Sequence, residues 1–356
     1  MDIFKFAPNR VWRVYRGGVG IDRMRGAAAP EDGFFPEEWV ASDTLAINPV
    51  RYTDHDGISM AKVGGAEVRF DELLGARPEE LLGAKHIAHF GARGGFLAKI
   101  LDSAIRLPLQ AHPDLRNAGR LFNSEHGKTE AWIVLGTRDE NACLYLGFNE
   151  KLDERKFRDA ALAGDMTGVL EMVHRYPVKA GDVLLIRGGM VHAIGPGVTL
   201  IEIMEPSDWC VQPERFCGDY ELSDDMRFGL PGADPEAMLD VFDYTPRDRV
   251  SAWEYAALRS TPPEEYPGLR LETCVDRRHI GFFGAVRATF RGEWTGELPF
   301  GSAASGIVIS GSLNAGGLSL APGDAFFVPF SAGIVRWRGD AEVIFALPPL
   351  PPEQKI

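Results

Sequence analysis

Two histidines, one glutamine and one glutamate of this sequence could together hold a metal ion. Gln110 and His112 are separated by one residue, so on a β-strand both side chains project from the same face. Glu130 opens a later apolar run, and His192 follows another. Two nitrogen and two oxygen donors suit Zn²⁺, with Fe²⁺, Mn²⁺ and Co²⁺ as alternatives. Taken alone, each histidine is more often a hydrogen-bonded polar residue, so only the combined pattern indicates a site.

Two lysines accompany these residues. Lys99 interrupts the apolar run 96–101, where an unpaired ammonium group would be costly. Its side chain either extends to the rim of the sheet or faces inwards to meet a phosphate or a substrate hydroxyl. Lys128 precedes Glu130 by two positions and shares its face if the strand begins there.

Short strands joined by turns must position these side chains. The 40 glycines and 24 prolines are spread along the chain, which is typical of a β-rich fold. Extended or apolar runs predict strands at 38–50, 96–101, 105–112, 130–135, 142–148, 183–186, 198–204 and, repeatedly, beyond 268. Helical spacing predicts insertions near 70–90, 153–176 and 224–243. We expect the last two insertions to pack on the flank of the sheets rather than cover a pocket.

An internal repeat indicates how the strands are organised. Residues 178–192 resemble residues 320–334, since each segment has a turn, Gly-Asp, four apolar residues and a second turn. This repeat predicts two barrels of one architecture, although short Gly-Asp turns also resemble each other by chance. The first copy ends in His192 and the second in Ile334. A metal site would therefore belong to the first copy.

Composition limits the partners. The chain has 356 residues and a formal charge of −13, which argues against nucleic acid or an anionic membrane as the main partner. A phosphorylated small molecule remains compatible, because a local basic pocket can form in an acidic protein. The four cysteines form no C-x-x-C pair, which favours reduced thiols. Without a signal sequence or a long apolar run near the roughly 20 residues of a membrane span, we expect a soluble, cytoplasmic protein.

Three segments together resemble the class I mannose-6-phosphate isomerases, which are metal-dependent members of the cupin superfamily. They are Pro-Leu-Gln-Ala-His-Pro at 108–113, Gly-Lys-Thr-Glu-Ala-Trp at 127–132, and the Gly-Asp to His-Ala-Ile segment at 181–194. Residues 96–102 resemble the strand before the Gln-x-His motif of that family. Glu38-Trp39-Val40-Ala41-Ser42 resembles its early Glu-x-Trp-x-x-Ser segment.

The resemblance covers about residues 38 to 210 and implies a fold. That fold is mainly β, with two cupin-type jelly-roll barrels and helical insertions. Residues 1–250 would form the catalytic cupin domain, and residues 251–356 a degenerate cupin domain without metal. The compact insertion at 153–176 resembles the shorter, bacterial and archaeal form of the family.

The resemblance also implies a site and a reaction. The zinc ligands would be Gln110, His112, Glu130 and His192, while Lys99, Lys128 and Glu202 would line the substrate pocket. The family interconverts mannose 6-phosphate and fructose 6-phosphate by moving a proton between C2 and C1 through a cis-enediol. Glu202 and Lys128 are the candidates for the acid and the base. The expected partner is a sugar phosphate, and the expected assembly is a monomer or a homodimer.

One position departs from the family pattern. After Ser207-Asp208 the family carries an essential arginine, whereas this chain has Gln212. A neutral amide supplies neither the charge nor the forked donors of a guanidinium. Arg215 would replace it in catalysis if Pro213 reshapes the turn, leaving Gln212 as a substrate-binding residue. The alternatives to an isomerase are a weak or inactive sugar-phosphate-binding cupin and a different metal-dependent cupin enzyme, such as an oxygenase.

Overall fold

The fold is mainly β. The structure, a computed structural model, describes residues 1–48 and 53–352. Its strands are β1 Phe4–Phe6, β2 Arg10–Val11, β3 Glu37–Val40, β4 Met60–Val63, β5 Ala66–Arg69, β6 Leu97–Asp102, β7 Glu130–Thr137, β8 Cys143–Phe148, β9 Val173–Pro177, β10 Val183–Ile186, β11 His192–Ile194, β12 Val198–Met204, β13 Phe216–Cys217, β14 Tyr220–Glu221, β15 Glu264–Tyr266, β16 Leu269–Val275, β17 Gly284–Phe290, β18 Glu293–Gly296, β19 Ala304–Ala315, β20 Leu318–Leu320, β21 Ala325–Val328 and β22 Val335–Leu347.

Short helices lie between these strands. The α-helices are α1 Val19–Met24, α2 Phe70–Ala76, α3 Pro78–Leu82, α4 Ala84–Phe90, α5 Leu115–Phe122, α6 Glu154–Ala163, α7 Asp224–Arg227, α8 Pro235–Met238, α9 Arg249–Ala256 and α10 Arg277–Ile280. Single 3₁₀ turns cover Val169–Met172, Leu239–Val241 and Phe330–Ala332. In the part of the chain that the structure describes, no helix is both long and apolar enough to cross a membrane.

Within residues 1–48 and 53–352, the strands belong to four antiparallel sheets. The order of the six-stranded sheet is β10-β7-β12-β6-β3-β2, and a three-stranded sheet, β11-β8-β9, accompanies it. The large sheet follows the order β15-β16-β17-β22-β19-β21-β1-β4-β5, with β18 and β20 as side pairs. Strands β13 and β14 form a separate hairpin. The N-terminal strands β1, β4 and β5 thus extend the sheet built by the C-terminal region, and the domain boundary at 250/251 stays a prediction.

The six-stranded sheet is buried on both faces. On one face, Ile100 belongs to the same apolar cluster as Ile344 of the large sheet. On the other face, Trp132 belongs to the same cluster as Leu144 of the three-stranded sheet. Burial on both faces explains why the sequences of β6 and β10 are mostly apolar and do not alternate between apolar and polar residues. A polar residue on the Trp132 face therefore points into an enclosed space.

The Gly-Asp repeat corresponds to a repeated turn. Gly181 and Gly323 both have positive φ, 93° and 80°, which favours glycine at this position. In each copy the aspartate, Asp182 or Asp324, accepts a hydrogen bond from the backbone N–H three residues earlier, at 2.9 and 2.7 Å. The strands that follow, β10 and β21, are buried along their whole length. The prediction of two copies of one β unit is confirmed at these turns.

Most predicted strands are present, but several predicted elements need correction. Residues 105–112 were predicted to be a strand but form only two isolated bridges, Gln110 with His192 and Ala111 with Val211. Pro108 cannot donate to a ladder, which accounts for the missing strand. The predicted helical insertion at 153–176 ends earlier, because β9 begins at Val173. The extended segment predicted at 38–50 is a strand only as far as Val40, where β3 ends, and its residues 49 and 50 lie outside the described residues.

The helical insertions differ in their relation to the pocket. Phe157 and Ala161 of α6 pack in an apolar cluster with Phe148 of the three-stranded sheet, so this insertion lies on the flank as expected. In the third insertion, Asp225 and Met226 of α7 line the pocket described below. The expectation that this third insertion packs only on the flank was therefore wrong at α7.

Candidate metal centre and substrate pocket

Three buried side chains from three separate elements converge on one point. His112 follows the isolated bridges, Glu130 begins β7 and His192 begins β11. Nε2 of His112 lies 3.2 Å from Oε2 of Glu130, and Nε2 of His192 lies 3.5 Å from Oε1 of the same carboxylate. One ligand atom from each residue lies within 4.8 Å of the others, so the three could hold a metal ion.

Backbone carbonyls set the tautomer of both histidines. Nδ1 of His112 lies 2.9 Å from the carbonyl oxygen of Trp209, and Nδ1 of His192 lies 2.8 Å from that of Met190. A carbonyl oxygen can only accept, so each Nδ1 carries the hydrogen and each Nε2 is unprotonated, with its lone pair facing the cluster. This arrangement is the usual outer support of a histidine that ligates a metal.

The converging atoms fit a cation. Both carboxylate oxygens of Glu130 and Nε2 of His192 are buried, and they have no hydrogen-bond partner among the described residues. All of these atoms are acceptors, and buried acceptors that face each other are costly unless a positive charge lies between them. The ammonium of Lys128 partly meets this need, since Nζ lies 2.8 Å from Nε2 of His112 and 3.2 Å from Oε2 of Glu130.

Burial keeps the two imidazoles neutral. It lowers the pKa of His192 to about 3, and the pKa of His112 is lowered by burial and by the charge of Lys128. For Glu130, burial alone would raise the pKa, but Lys128 and His112 outweigh it and hold the carboxyl well below its usual range. All three side chains are therefore in the protonation states that ligate metals.

Gln110 lies beside this cluster. Its backbone pairs with His192 in both directions, at 2.9 and 2.8 Å, and its side chain lines the same pocket as His112. The prediction that Gln110 and His112 face one cavity is confirmed. The amide Oε1 accepts a hydrogen bond from Sγ of Cys210 at 2.9 Å. Gln110 thus brings a neutral amide oxygen to the pocket that His112 also lines.

A carboxylate holds the segment that carries Gln110 and His112. Glu214 accepts hydrogen bonds from the guanidinium of Arg106, at 2.6 and 2.7 Å, and a short one from the backbone N–H of Leu109. The segment has only isolated bridges to its neighbours, so these bonds add to the few backbone contacts that hold it. Glu214 itself is almost completely buried.

Lys99 faces inwards and sits between two carboxylates. It lies opposite Glu202 in the pairing of β6 with β12, and Nζ is 3.0 Å from Oε1 of Glu202 and 3.4 Å from Oε2 of Glu37. With 4% of its surface exposed, Lys99 does not extend to the rim. Burial alone would lower its pKa, but Glu202 and Glu37 outweigh it, and the pKa is raised. The inward alternative is the one the structure supports.

The pKa of the Glu202 carboxyl lies near neutral pH. Burial and the negative charge of Glu130 raise its pKa to about 7, against the opposing charges of Lys99 and Lys128. Its Oε1 lies in the ion pair with Lys99 but has no hydrogen-bond partner in the part of the chain that the structure describes. A carboxyl with these properties can take up and return a proton at neutral pH.

One pocket brings several of these groups together, while Glu130 and His192 are not among the described residues that line it. Its lining includes Gln110, His112, Lys99, Lys128 and Glu202. Four further residues that the sequence did not identify line it as well: Arg13, Tyr15, Glu37 and Asp208. Two of them had a sequence signal: Asp208 belongs to the Ser-Asp pair of the family pattern, and Glu37 belongs to the Glu-x-Trp-x-x-Ser segment. Glu37 itself lies one residue before the segment 38–42 begins.

Glu37 is the central hydrogen-bond acceptor in this part of the pocket. Its carboxylate accepts hydrogen bonds from the Tyr15 hydroxyl at 2.6 Å, the Trp39 indole at 2.7 Å and the Arg13 guanidinium at 3.0 Å. Burial alone would raise its pKa, but Arg13 and Lys99 outweigh it and hold the carboxyl charged well below its usual range. Glu38 points elsewhere and pairs with Arg25 at 2.9 Å.

The two residues proposed for the arginine function lie in different places. Gln212 lines the pocket, and its amide donates to the carbonyl of Met226 at 3.2 Å. Arg215 is not among the described residues that line the pocket, and its guanidinium lies 3.9 Å from Glu221. The chain turns into the β13–β14 hairpin directly after Arg215, which carries this side chain away. The expectation that Arg215 reaches the site is corrected accordingly.

Comparison with known proteins gives the fold and a partial sequence relationship. No known family profile matches the sequence. A mannose-6-phosphate isomerase of Streptococcus mutans is 38% identical over 155 residues, which are 43% of this chain and 45% of that protein. The matched region thus spans less than half the length of this curated relative.

Solved structures match over nearly the whole chain. The mannose 6-phosphate isomerase of Bacillus subtilis superposes with a TM-score of 0.72 at 20% identity, covering 97% of this chain and 99% of that one. A variant of phosphomannose isomerase from Salmonella typhimurium gives 0.71 at 14% identity, covering 98% and 100%. The prediction of a mainly β, cupin-type fold is confirmed. This chain has the fold of the phosphomannose isomerases and resembles one of them in sequence over part of its length.

Proposed function

We propose that this protein is a metal-dependent aldose–ketose isomerase that interconverts mannose 6-phosphate and fructose 6-phosphate. The observation that carries the proposal is the convergence of His112, Glu130 and His192 on one point beside a pocket lined by Lys99, Lys128 and Glu202. Metal ligands, cations and a carboxyl of near-neutral pKa are the groups that such a reaction requires. The relatives named mannose-6-phosphate isomerase support the same assignment.

Four residues would hold the metal. His112, His192 and Glu130 would be joined by the amide oxygen of Gln110, and two nitrogen and two oxygen donors favour Zn²⁺ over Fe²⁺, Mn²⁺ or Co²⁺. When bound, the metal would act as a Lewis acid that steadies negative charge on the sugar oxygens. Because both imidazoles are neutral and Glu130 is ionised, the chain need not lose protons from them to bind it.

The proton transfer falls to the side chains on the pocket face of the six-stranded sheet. Glu202 would accept the proton from C2 and return it to C1, passing through a cis-enediol, while the hydroxyl proton of O2 passes to O1. Lys99, 3.0 Å away, would orient the Glu202 carboxylate. Lys128 would donate to a sugar oxygen as charge develops there. Lys99, Lys128 and Glu202 are buried, which strengthens the interactions of their charges.

The remaining assignments follow from this activity. The substrate would be a free sugar phosphate, and the protein would act in the cytoplasm as a monomer or a homodimer. The weak or inactive binding protein considered as an alternative rested on Gln212 alone, and the comparisons give no support for it. The oxygenase alternative predicts iron in the purified protein.

Metal analysis combined with a panel of aldose and ketose 6-phosphates tests the proposal. We expect one divalent metal per chain, mainly zinc, and turnover of mannose 6-phosphate. Bound iron with oxygen consumption would favour the oxygenase. Metal without turnover of any 6-phosphate would favour the binding protein.

A further inference from the structure

The pocket contains a guanidinium from a distant part of the chain. Arg13 lies in the loop after β2, is largely buried and lines the pocket beside Lys99 and Gln212. Its Nε donates to Glu37 at 3.0 Å, and its Nη2 donates to both oxygens of Asp208 at 3.0 and 3.1 Å. Its guanidinium also stacks on the ring of Trp39 at 5.1 Å. The side chain is therefore held in one orientation at the pocket wall.

Part of the guanidinium remains available to a ligand. An arginine has five N–H donors, and two of them are on Nη1. Nη1 of Arg13 has one acceptor among the described residues, the Asn48 amide oxygen at 3.3 Å. Burial alone would lower the pKa of Arg13, but Asp208 and Glu37 outweigh it, so the group stays charged. A fixed cation with a free donor is suited to bind an anionic oxygen.

Asp208, which binds Arg13, lies four residues before Gln212 in the sequence. Asp208 belongs to the Ser-Asp pair that precedes Gln212, where the resemblance predicts an arginine. Asp208 is not followed by an arginine four residues later. Instead it binds Arg13, which lies 195 positions earlier in the chain. The Asp208 carboxylate also accepts a hydrogen bond from the backbone N–H of Ile47 at 2.8 Å, which fixes it against the N-terminal region.

We propose that Arg13 binds the phosphate group of the sugar phosphate, as the guanidinium of a pocket in which position 212 is neutral. This inference rests on the proposed function. The amide of Gln212 carries no charge and Arg215 lies outside the pocket lining. Lys99, 3.0 Å from Glu202, and Lys128, 3.2 Å from Glu130, are already assigned to the reacting end of the pocket. Arg13 is the one arginine among the described residues that line the pocket, and its planar fork matches a phosphate better than an ammonium does.

Steady-state kinetics on the metal-loaded protein test the role. For Arg13→Gln we expect the KM for mannose 6-phosphate to rise about 10- to 100-fold, the loss typical of a charge-assisted hydrogen bond, while kcat changes less than about threefold. The inhibition constant of inorganic phosphate should rise by a similar factor. Arg16→Gln is the matched control, since Arg16 is half-exposed, pairs with Asp219 and does not line the pocket. A lower kcat with an unchanged KM would overturn the inference.

A second variant covers the case in which Arg13→Gln does not fold, because it leaves Glu37 and Asp208 without their guanidinium. Arg13→Lys keeps the charge but loses the fork. We expect a smaller rise in KM, about 3- to 10-fold, with normal metal content. A KM equal to that of the unmodified protein would contradict the inference.

A binding measurement separates this inference from the proposed function. Inorganic phosphate should raise the melting temperature of the metal-loaded protein, and Arg13→Gln or Arg13→Lys should reduce this rise while Arg16→Gln preserves it. If the unmodified protein turns over no sugar phosphate but this pattern holds, the isomerase proposal fails and Arg13 stands as an anion-binding residue. If turnover is present and phosphate stabilises the Arg13 variants as well as the unmodified protein, the inference about Arg13 fails alone.

Discussion

Nε2 of His192 lies 3.5 Å from Oε1 of Glu130, and neither atom has a hydrogen-bond partner within residues 1–48 and 53–352. The imidazole presents a lone pair because its Nδ1–H is bonded to the carbonyl of Met190. Two buried acceptors at this distance repel each other unless a cation lies between them. This relationship is the physical reason to expect a metal ion at this point of the fold.

Removal of either histidine ligand should release the metal. For His112→Ala and His192→Ala we expect metal affinity to fall by more than about 100-fold, because even the loss of an outer support commonly costs 10- to 100-fold. Inductively coupled plasma analysis after dialysis measures the metal content. His279→Ala serves as the control, because His279 is exposed and pairs with Asp276. Full metal content in either ligand variant would refute the proposed centre.

Metal binding should depend little on pH between 5.5 and 7.5. The neutral imidazole is the ligand, so a proton competes with the metal only near and below the pKa of each histidine. Burial lowers the pKa of His192 to about 3, so this ligand stays neutral over the whole range. The pKa of His112 is lowered as well, so proton competition is weaker than for two histidines of ordinary pKa. Two histidines of ordinary pKa would lose affinity about 100-fold over this range. Chelator competition with Co²⁺ at the two pH values distinguishes the two cases.

Glu202→Gln should abolish most of the catalysis but not the metal binding. The amide keeps the shape of the side chain and cannot take up the proton, so we expect kcat to fall by 10² to 10⁴, the usual contribution of a general base. Metal content should be unchanged. Glu38→Gln is a matched control, since Glu38 is also buried but pairs with Arg25 outside the pocket. If Glu202→Gln keeps more than about a tenth of the rate, another group moves the proton.

Glu214→Gln should loosen the segment that carries Gln110 and His112. A glutamine has one acceptor oxygen where the carboxylate has two, so the bonds from Arg106 and from the Leu109 N–H are not all retained. We expect a loss of about 1–3 kcal/mol in the free energy of unfolding together with weaker metal binding. Denaturant unfolding of the metal-free protein and metal titration report the two effects. Glu221→Gln, at an exposed carboxylate, should change neither.

The sequence predicts well what depends on local spacing. The shared face of Gln110 and His112 and the proximity of Lys128 to Glu130, at 3.2 Å, follow from the period of two along an extended chain. The strands β10 and β12 are predicted with their observed bounds, because buried β-branched runs bounded by glycine have few other conformations.

Contacts between distant segments lie beyond such reasoning. Nothing in the spacing connects Arg13 with Asp208, which are 195 positions apart, and the loop after β2 has no periodic pattern. Residues 105–112 look like a strand because an extended segment fixed by side chains has the same apolar pattern as a strand in a ladder. Only the backbone partners distinguish the two, and the sequence alone does not identify them.

The most direct test of the central claim is a coupled assay for fructose 6-phosphate formed from mannose 6-phosphate, run on one preparation before chelation, after chelation and after addition of Zn²⁺. We predict turnover that is lost when the metal is removed and regained when it is restored, and that His192→Ala does not regain. Turnover that persists in the fully metal-free protein, or no turnover in the metal-loaded protein, would contradict the assignment of a metal-dependent isomerase.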